Sequence, residues 1–151
     1  MRRSVLLSCV VSLSSLSSLC SPGLARADGG TVAIEIEGLR SDRGAVRGAL
    51  FASRDGWTEE GHQIATCTAR ARSTVVRCVI EDVAPGDYAF AFLHDEDDDG
   101  QLDRDWIGIP QEGFGFSNDA QPGLGAPSFE SARFTHDGRA TQLVVHARYG
   151  L

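Results

Sequence analysis

The sequence predicts an all-β domain, an antiparallel sandwich of about seven short strands with one long loop. Three observations favour this fold class. Apolar and polar residues alternate with a period of two in most segments, and turn-forming residues separate those segments. No segment of the presumed domain keeps the longer period of an amphipathic helix over several turns.

The first strand is predicted at residues 31–38, where Val32, Ile34 and Ile36 alternate with glutamates. This alternation is typical of a strand that is buried on one face only. A second strand is predicted at residues 46–54.

The next two strands, residues 65–71 and 74–83, are predicted to form a hairpin with a tight turn at residues 72–73. In that register Cys67 lies opposite Cys78, and directly opposed residues are about 4.5–5.5 Å apart at Cα, which a disulfide accepts. The sequence therefore predicts a Cys67–Cys78 disulfide, which would stabilise the domain by about 2–3 kcal/mol. Two buried free thiols are the alternative.

Three further strands complete the prediction. Residues 88–94 are apolar on both faces, as expected for a strand in the middle of a covered sheet. Residues 129–135 and 141–149 are predicted to pair as a hairpin around a turn at Asp137-Gly138. Seven short strands without a long helix favour an immunoglobulin-like or transthyretin-like sandwich.

The amino terminus has the features of a cleavable signal peptide. Two arginines precede an apolar stretch at residues 5–19, and Ala25 and Ala27 are small residues at the positions that signal peptidase inspects. We therefore expect residues 1–27 to be a signal peptide and residues 28–151 to be one domain without a membrane span. The expected location is periplasmic or extracellular, where disulfides form readily.

The net charge of the expected domain limits the classes of partner that it can bind. After removal of the expected signal peptide, 11 basic and 21 acidic side chains remain. Binding of nucleic acid or anionic lipid requires positive charge to replace counterions. An acidic domain of this kind therefore excludes nucleic acid as a partner, and the expected partner is a protein or another envelope component.

The acidic loop, residues 95–105, contains seven acidic residues and resembles the front of a calcium-binding loop. Carboxylates recur at alternate positions, and Gly100 permits the sharp turn that such loops require. A solvated acidic loop without a specific ion is the alternative. The predicted calcium ligands are Asp95, Asp97, Asp99, the carbonyl of Gln101, and Asp103.

A second functional hypothesis is a periplasmic enzyme or small-ligand binder that uses His94 with the acidic loop. It predicts a concave pocket flanked by His94, Asp95, Trp106 and Glu112. No serine, cysteine or histidine lies in a recognisable catalytic pattern, so the sequence assigns no catalytic residues and favours a non-enzymatic module.

Glycines alternate with aromatic residues at positions 108–118. Such a pattern is typical of backbone packed closely over rings. The segment is expected to cover the open face of the sandwich, or alternatively to present Phe114 and Phe116 to a ligand.

Four consecutive motifs together resemble the domain-of-unknown-function 2141 family, over nearly all of the expected domain. The resemblance implies an exported bacterial protein with a transthyretin-like or immunoglobulin-like β-sandwich, and it implies no particular reaction. The motifs are Pro85-Gly86-Asp87-Tyr88-Ala89, His94-Asp95-Glu96-Asp97-Asp98-Asp99-Gly100-Gln101-Leu102-Asp103, Gly108-Ile109-Pro110-Gln111-Glu112-Gly113-Phe114-Gly115-Phe116-Ser117-Asn118, and Pro127-Ser128-Phe129-Glu130.

Overall fold

Short strands make up most of the regular structure in this chain. The structure is a computed structural model that describes residues 29–150; the expected signal peptide, residues 1–27, lies outside the described residues. Within residues 29–150 there are eight strands: β1 Gly30–Glu37, β2 Ala45–Phe51, β3 Ala65–Arg70, β4 Val75–Val83, β5 Gly86–Asp95, β6 Gly113–Phe116, β7 Phe134–His136 and β8 Ala140–His146. A 3-10 turn at Ser117–Asp119 and a single helical turn, α1 Phe129–Ala132, lie between β6 and β7.

The strands form two sheets, which confirms the all-β prediction. One sheet has the order β4-β1-β8, and the other has the order β3-β2-β5-β6, with β7 also pairing with β5. β5 lies between β2 and β6, so the prediction of a central strand at residues 88–94 is correct. Among the described residues, no helix is long and apolar enough to cross a membrane.

The strands are not all antiparallel, which corrects the predicted sheet. β8 runs parallel to β1, with Ile34 opposite Leu143 and Ile36 opposite Val145. Alternation in the sequence specifies which face of a strand is buried, but it carries no information about strand direction. β7 pairs with β5 and β8 pairs with β1, so the turn at Asp137-Gly138 connects two different pairings and does not close a hairpin.

Neither of the two predicted hairpins is present in the structure. β3 pairs with β2, whereas β4 pairs with β1 in the other sheet. Residues 129–135 are not one strand either, because Phe129–Ala132 is a helical turn. The Ser128 side chain caps this turn by accepting a hydrogen bond from the Ser131 amide, and capping by serine is a common start of helical structure.

The Cys67–Cys78 disulfide is present, but it connects the two sheets rather than the two strands of a hairpin. The Cα atoms are 5.8 Å apart. Cys67 lies opposite Gly48 of β2, and Cys78 lies opposite Ile34 of β1. The predicted pairing is therefore confirmed, although the hairpin register from which it was inferred does not exist.

Side chains from both sheets form one shared core. It includes Ile34 and Ile36 of β1, Leu50 of β2, Phe90 of β5 and Val145 of β8, all fully buried. The alternation predicted for β1 is correct, because Val32, Ile34 and Ile36 all contribute to this core.

A second apolar cluster, the outer cluster, lies on the opposite face of β2 and β5. Ala89 belongs to it, whereas the neighbouring Phe90 belongs to the shared core, as the two-faced pattern of this strand predicts. The sequence predicts one long loop at residues 95–128, but β6 lies within this segment and pairs with β5, so the loop is shorter than expected. The buried members of the outer cluster are Phe51, Ala89, Phe114, Phe116, Ala120, Phe129 and Ala132.

Candidate functional site

The acidic loop begins at Asp95, the last residue of β5, and this aspartate is fully buried. Arg47 of β2 donates its Nε to Asp95 Oδ2, which also accepts a hydrogen bond from the Gly100 amide at 2.9 Å. Burial raises the pKa of Asp95, but the hydrogen bonds from Arg47 and Gly100 together outweigh burial and hold that pKa below its ordinary value. The carboxylate is therefore ionised and fixed in position.

Backbone amides wrap the loop around this aspartate. The Asp99 amide donates to Asp95 Oδ1 at 3.0 Å and to Asp97 Oδ1 at 3.2 Å, and the Gln101 amide donates to Asp99 Oδ1 at 2.7 Å. The turn requires a left-handed backbone at Gly100, where φ is +82°, and glycine adopts this conformation at little cost.

Three of the five predicted metal ligands converge. One carboxylate oxygen from each of Asp95, Asp97 and Asp99 lies within 4.8 Å of the other two. Two oxygens that bind the same calcium ion at 2.3–2.6 Å can be no more than about 5 Å apart. The three carboxylates are therefore close enough together to hold one cation.

The other two predicted ligands are placed differently. Gln101 lies beside the three carboxylates through its amide, which binds Asp99. Asp103 is not one of the three converging side chains, and its amide donates to Glu112 Oε2 at 3.2 Å. The roles of the Gln101 carbonyl and of Asp103 as ligands stay predictions.

Glu112 closes the loop, which the sequence did not indicate. This buried carboxylate accepts the Glu96 amide at 2.6 Å through Oε1 and the Asp103 amide through Oε2. It thus ties the first and the last part of the loop together. A glutamate that precedes a glycine-rich strand gives no signal of this role, because its two partners are backbone amides whose positions depend on the fold.

Glu96 fixes the start of the loop on its outer side. Its carboxylate accepts hydrogen bonds from Arg40 and from the Ser41 hydroxyl, the latter at 2.6 Å. The hydrogen bond from Arg40 is the main reason that the pKa of Glu96 falls from 4.5 to about 2.

The contacts of His94 disfavour the alternative in which it serves the acidic loop as a ligand or base. The imidazole is buried, with Nε2 2.9 Å from the Arg43 carbonyl oxygen and Nδ1 2.9 Å from the Tyr149 hydroxyl. Since the carbonyl can only accept, Nε2 donates, and Nδ1 accepts the hydrogen bond from Tyr149. Both ring nitrogens are therefore occupied by structural bonds.

An open groove of about 410 Å³ lies next to the acidic loop, on the outer face of the sheet. It is not the predicted pocket, because His94, Asp95, Trp106 and Glu112 do not line it. Trp106 points away from the protein with 93% of its surface exposed. The floor of the groove consists of Arg47, Ala49, Phe51, Ala91, Leu93, Phe114 and Phe116.

Phe114 and Phe116 both cover the face of the sheet and are accessible to a ligand, so the two alternatives that the sequence left open are compatible. Each is largely buried in the outer cluster, and each also lines the groove. The glycine between them is required by packing, because a Cβ at Gly115 would lie 2.8 Å from the His146 carbonyl oxygen.

The fold and the site together define a two-sheet, all-β protein with a hydrogen-bonded acidic loop beside an apolar groove. The model of the family described as "uncharacterized protein conserved in bacteria (DUF2141)" matches residues 34–144, and the chain belongs to this family. No curated protein and no solved structure matches the chain.

Proposed function

We propose that this chain is an exported, non-enzymatic β-sandwich protein whose acidic loop binds calcium. The convergence of Asp95, Asp97 and Asp99 within 4.8 Å carries the proposal. Binding of the ion would hold the exposed part of the loop in one conformation for contact with a protein or another component of the envelope.

Two features support export. The amino-terminal sequence has the arrangement of a signal peptide, with residues 1–27 removed from the mature protein. The disulfide between Cys67 and Cys78 agrees with this, because structural disulfides persist in oxidising compartments and are rare in the cytosol.

Strand pairing favours the transthyretin-like form of the sandwich. An immunoglobulin-type sandwich of the constant class places its first two strands in the same sheet. Here β1 and β2 belong to different sheets that share one core. Of the two forms that the sequence predicts, we therefore retain the transthyretin-like one.

Electrostatics favour a cation in the loop. Like charges at these distances repel each other by about 1 kcal/mol per pair even in water, and Asp97 and Asp99 have no arginine partner among the described residues within 4.0 Å. Arg47 and Glu112 hold the loop in place before any ion binds. Three carboxylates, completed by Gln101, Asp103 and water, correspond to a weak extracellular type of site with a Kd of about 10⁻⁴–10⁻³ M.

Calorimetry and thermal unfolding of the disulfide-bonded protein test the proposal. With a Kd of about 1 mM, 10 mM calcium stabilises the protein by about 1.4 kcal/mol, which raises Tm by about 5 °C. Asp97→Asn and Asp99→Asn should each remove most of this rise. The control Asp55→Asn makes the same charge change at an exposed site outside the loop and should keep it.

Two results would refute calcium binding. One is the absence of both heat and a Tm rise in wild type. The other is an equal loss of the calcium effect in Asp55→Asn, because the effect would then be general screening of an acidic surface.

A further inference from the structure

The depth of the groove comes from a pair of small residues in the middle of the sheet. Ala49 of β2 lies directly opposite Ala91 of β5, and Ala91 lies opposite Phe116 of β6. Because alanine ends at Cβ, the larger side chains around the pair leave a hollow above it. The volume of about 410 Å³ lies within the range of small-molecule sites, about 300–1,000 Å³.

The floor of the groove changes from charged to aromatic along its length. Arg47, Ala49 and Phe51 follow one another on the same face of β2, and all three line the groove. The four residue steps from Arg47 to Phe51 span about 13 Å, which accommodates an extended chain of about ten carbon atoms. The floor therefore has the dimensions and the polarity of a site for an amphiphile with one polar end.

Apolar side chains form the walls, and two of them are open to water. Leu102, Ile107, Pro110 and Leu124 line the groove, and Ile107 and Leu124 are exposed. Covering such side chains with an apolar chain removes their surface from water, which favours binding in proportion to the area covered. The walls are therefore more stable in contact with an apolar ligand than in contact with water.

The charged groups of the groove have a single sign. Arg47 and Arg104 line it, and no acidic residue does, although the chain has 21 acidic and 14 basic residues. Arg47 is already paired with Asp95. Arg104 donates to the Gly108 carbonyl at 3.1 Å and has no carboxylate of the described residues within 4.0 Å, so its guanidinium can bind a carboxylate of a ligand.

We infer that the groove binds a small amphiphile with an unbranched apolar chain of about ten carbons and one carboxylate, as in a medium-chain fatty acid. The chain lies over Ala49 and Ala91, and the carboxylate lies toward the two arginines. The alanine pair lies on β2 and β5, outside the three converging aspartates, so the inference stands whether or not the loop binds calcium.

Three probes of equal length and different charge test the inference: decanoate, decanol and decylammonium. Their binding to the disulfide-bonded protein is measured by calorimetry below their aggregation concentrations, with a chelator present so that calcium plays no part. Decanoate should bind about fivefold more tightly than decanol, and decylammonium should bind most weakly of the three.

Matched variants separate the two halves of the site. Arg104→Gln should weaken decanoate about fivefold and should leave the affinity for decanol within about twofold. Ala91→Leu fills the hollow and should abolish binding of all three probes. Ala33→Leu makes the same change on a strand of the other sheet, where Ala33 is half-buried outside the shared core, and should bind like wild type.

Several outcomes would overturn the inference. They are no binding of decanoate, equal affinity for the three probes, and undiminished binding to a correctly folded Ala91→Leu. If that variant lacks the far-ultraviolet dichroism of wild type, Ala49→Leu takes its place with the same expectation. A dimer in sedimentation that excludes every probe would also overturn it, because a second copy would then cover the groove.

Discussion

Arg47 on β2 donates its Nε to the buried carboxylate of Asp95, the residue at which β5 ends and the acidic loop begins. The same arginine lines the apolar groove. One side chain therefore contacts both the loop and the groove, and the loop position depends on this ion pair as well as on backbone hydrogen bonds.

Replacement of Asp95 should destabilise the protein. Asp95→Asn removes the charge that Arg47 pairs with and places an amide where the Gly100 and Arg47 donors converge. Because Arg47 is partly exposed, we expect a loss of about 1–3 kcal/mol in the free energy of unfolding, measured in urea. Asp98→Asn is the control: Asp98 is exposed and 3.9 Å from Arg47. Equal losses in the two variants would contradict the role of the pair.

The ion pair of Glu96 with Arg40 should make stability depend on pH. The pKa of Glu96 is lowered from 4.5 to about 2 in the folded protein, so its contribution is complete above pH 4.5 and is lost as the pH falls toward 2. Since Arg40 is half-exposed, we expect this contribution to be about 1 kcal/mol. Chemical unfolding between pH 6 and 2 measures it.

Glu96→Gln should have a shallower acid transition than wild type. Glu60→Gln changes an exposed glutamate elsewhere and should retain the wild-type pH dependence. If both variants lose stability with acid as steeply as wild type does, Glu96 is not responsible.

Gly48 should not tolerate a side chain. A Cβ at this position would lie 2.7 Å from Cys67 Sγ and would also meet the Phe90 ring. We expect Gly48→Ala to cost about 1–3 kcal/mol, because overpacking at a disulfide leaves little room for adjustment. Gly123→Ala, where a Cβ has no neighbour within 4 Å, should be almost neutral in the same thermal unfolding experiment. Similar Tm values for the two variants would disprove the close approach.

His94 should matter for stability and not for binding at the acidic loop. His94→Ala deletes a buried ring with two hydrogen bonds, and we expect a loss of about 2–4 kcal/mol in the free energy of unfolding. His62→Ala, at an exposed histidine, should change stability little. If His94→Ala is instead as stable as wild type and its calcium affinity is altered, His94 takes part in binding at the acidic loop.

Much of the fold follows from local pattern. The alternation around Ile34 and the two apolar faces of residues 88–94 identify β1 and β5 and their buried sides, because the period of a strand is a property of the strand alone. The neighbour of a strand in the sheet, by contrast, does not follow from local pattern. The pattern of β3 fits a neighbour on either side equally well, and the choice of β2 over β4 depends on how the two sheets meet.

In the candidate site, too, some features follow from local sequence and others depend on distant parts of the chain. Asp95, Asp97 and Asp99 are close together because they are neighbours in one turn, so their spacing predicts their convergence. The groove could not be predicted, because its floor depends on the register that places Ala49 opposite Ala91, 42 positions further along the chain. The burial of His94 depends likewise on Tyr149, which comes from the far end of the sequence.

The parallel pair of β1 and β8 joins the first described strand to the last. β1 is the middle strand of its sheet, so it lacks one neighbour until synthesis has passed residue 146. Contacts between such distant segments slow folding, because a long stretch of chain must be ordered before they form. This sheet can therefore be completed only when nearly all of the described residues have left the ribosome.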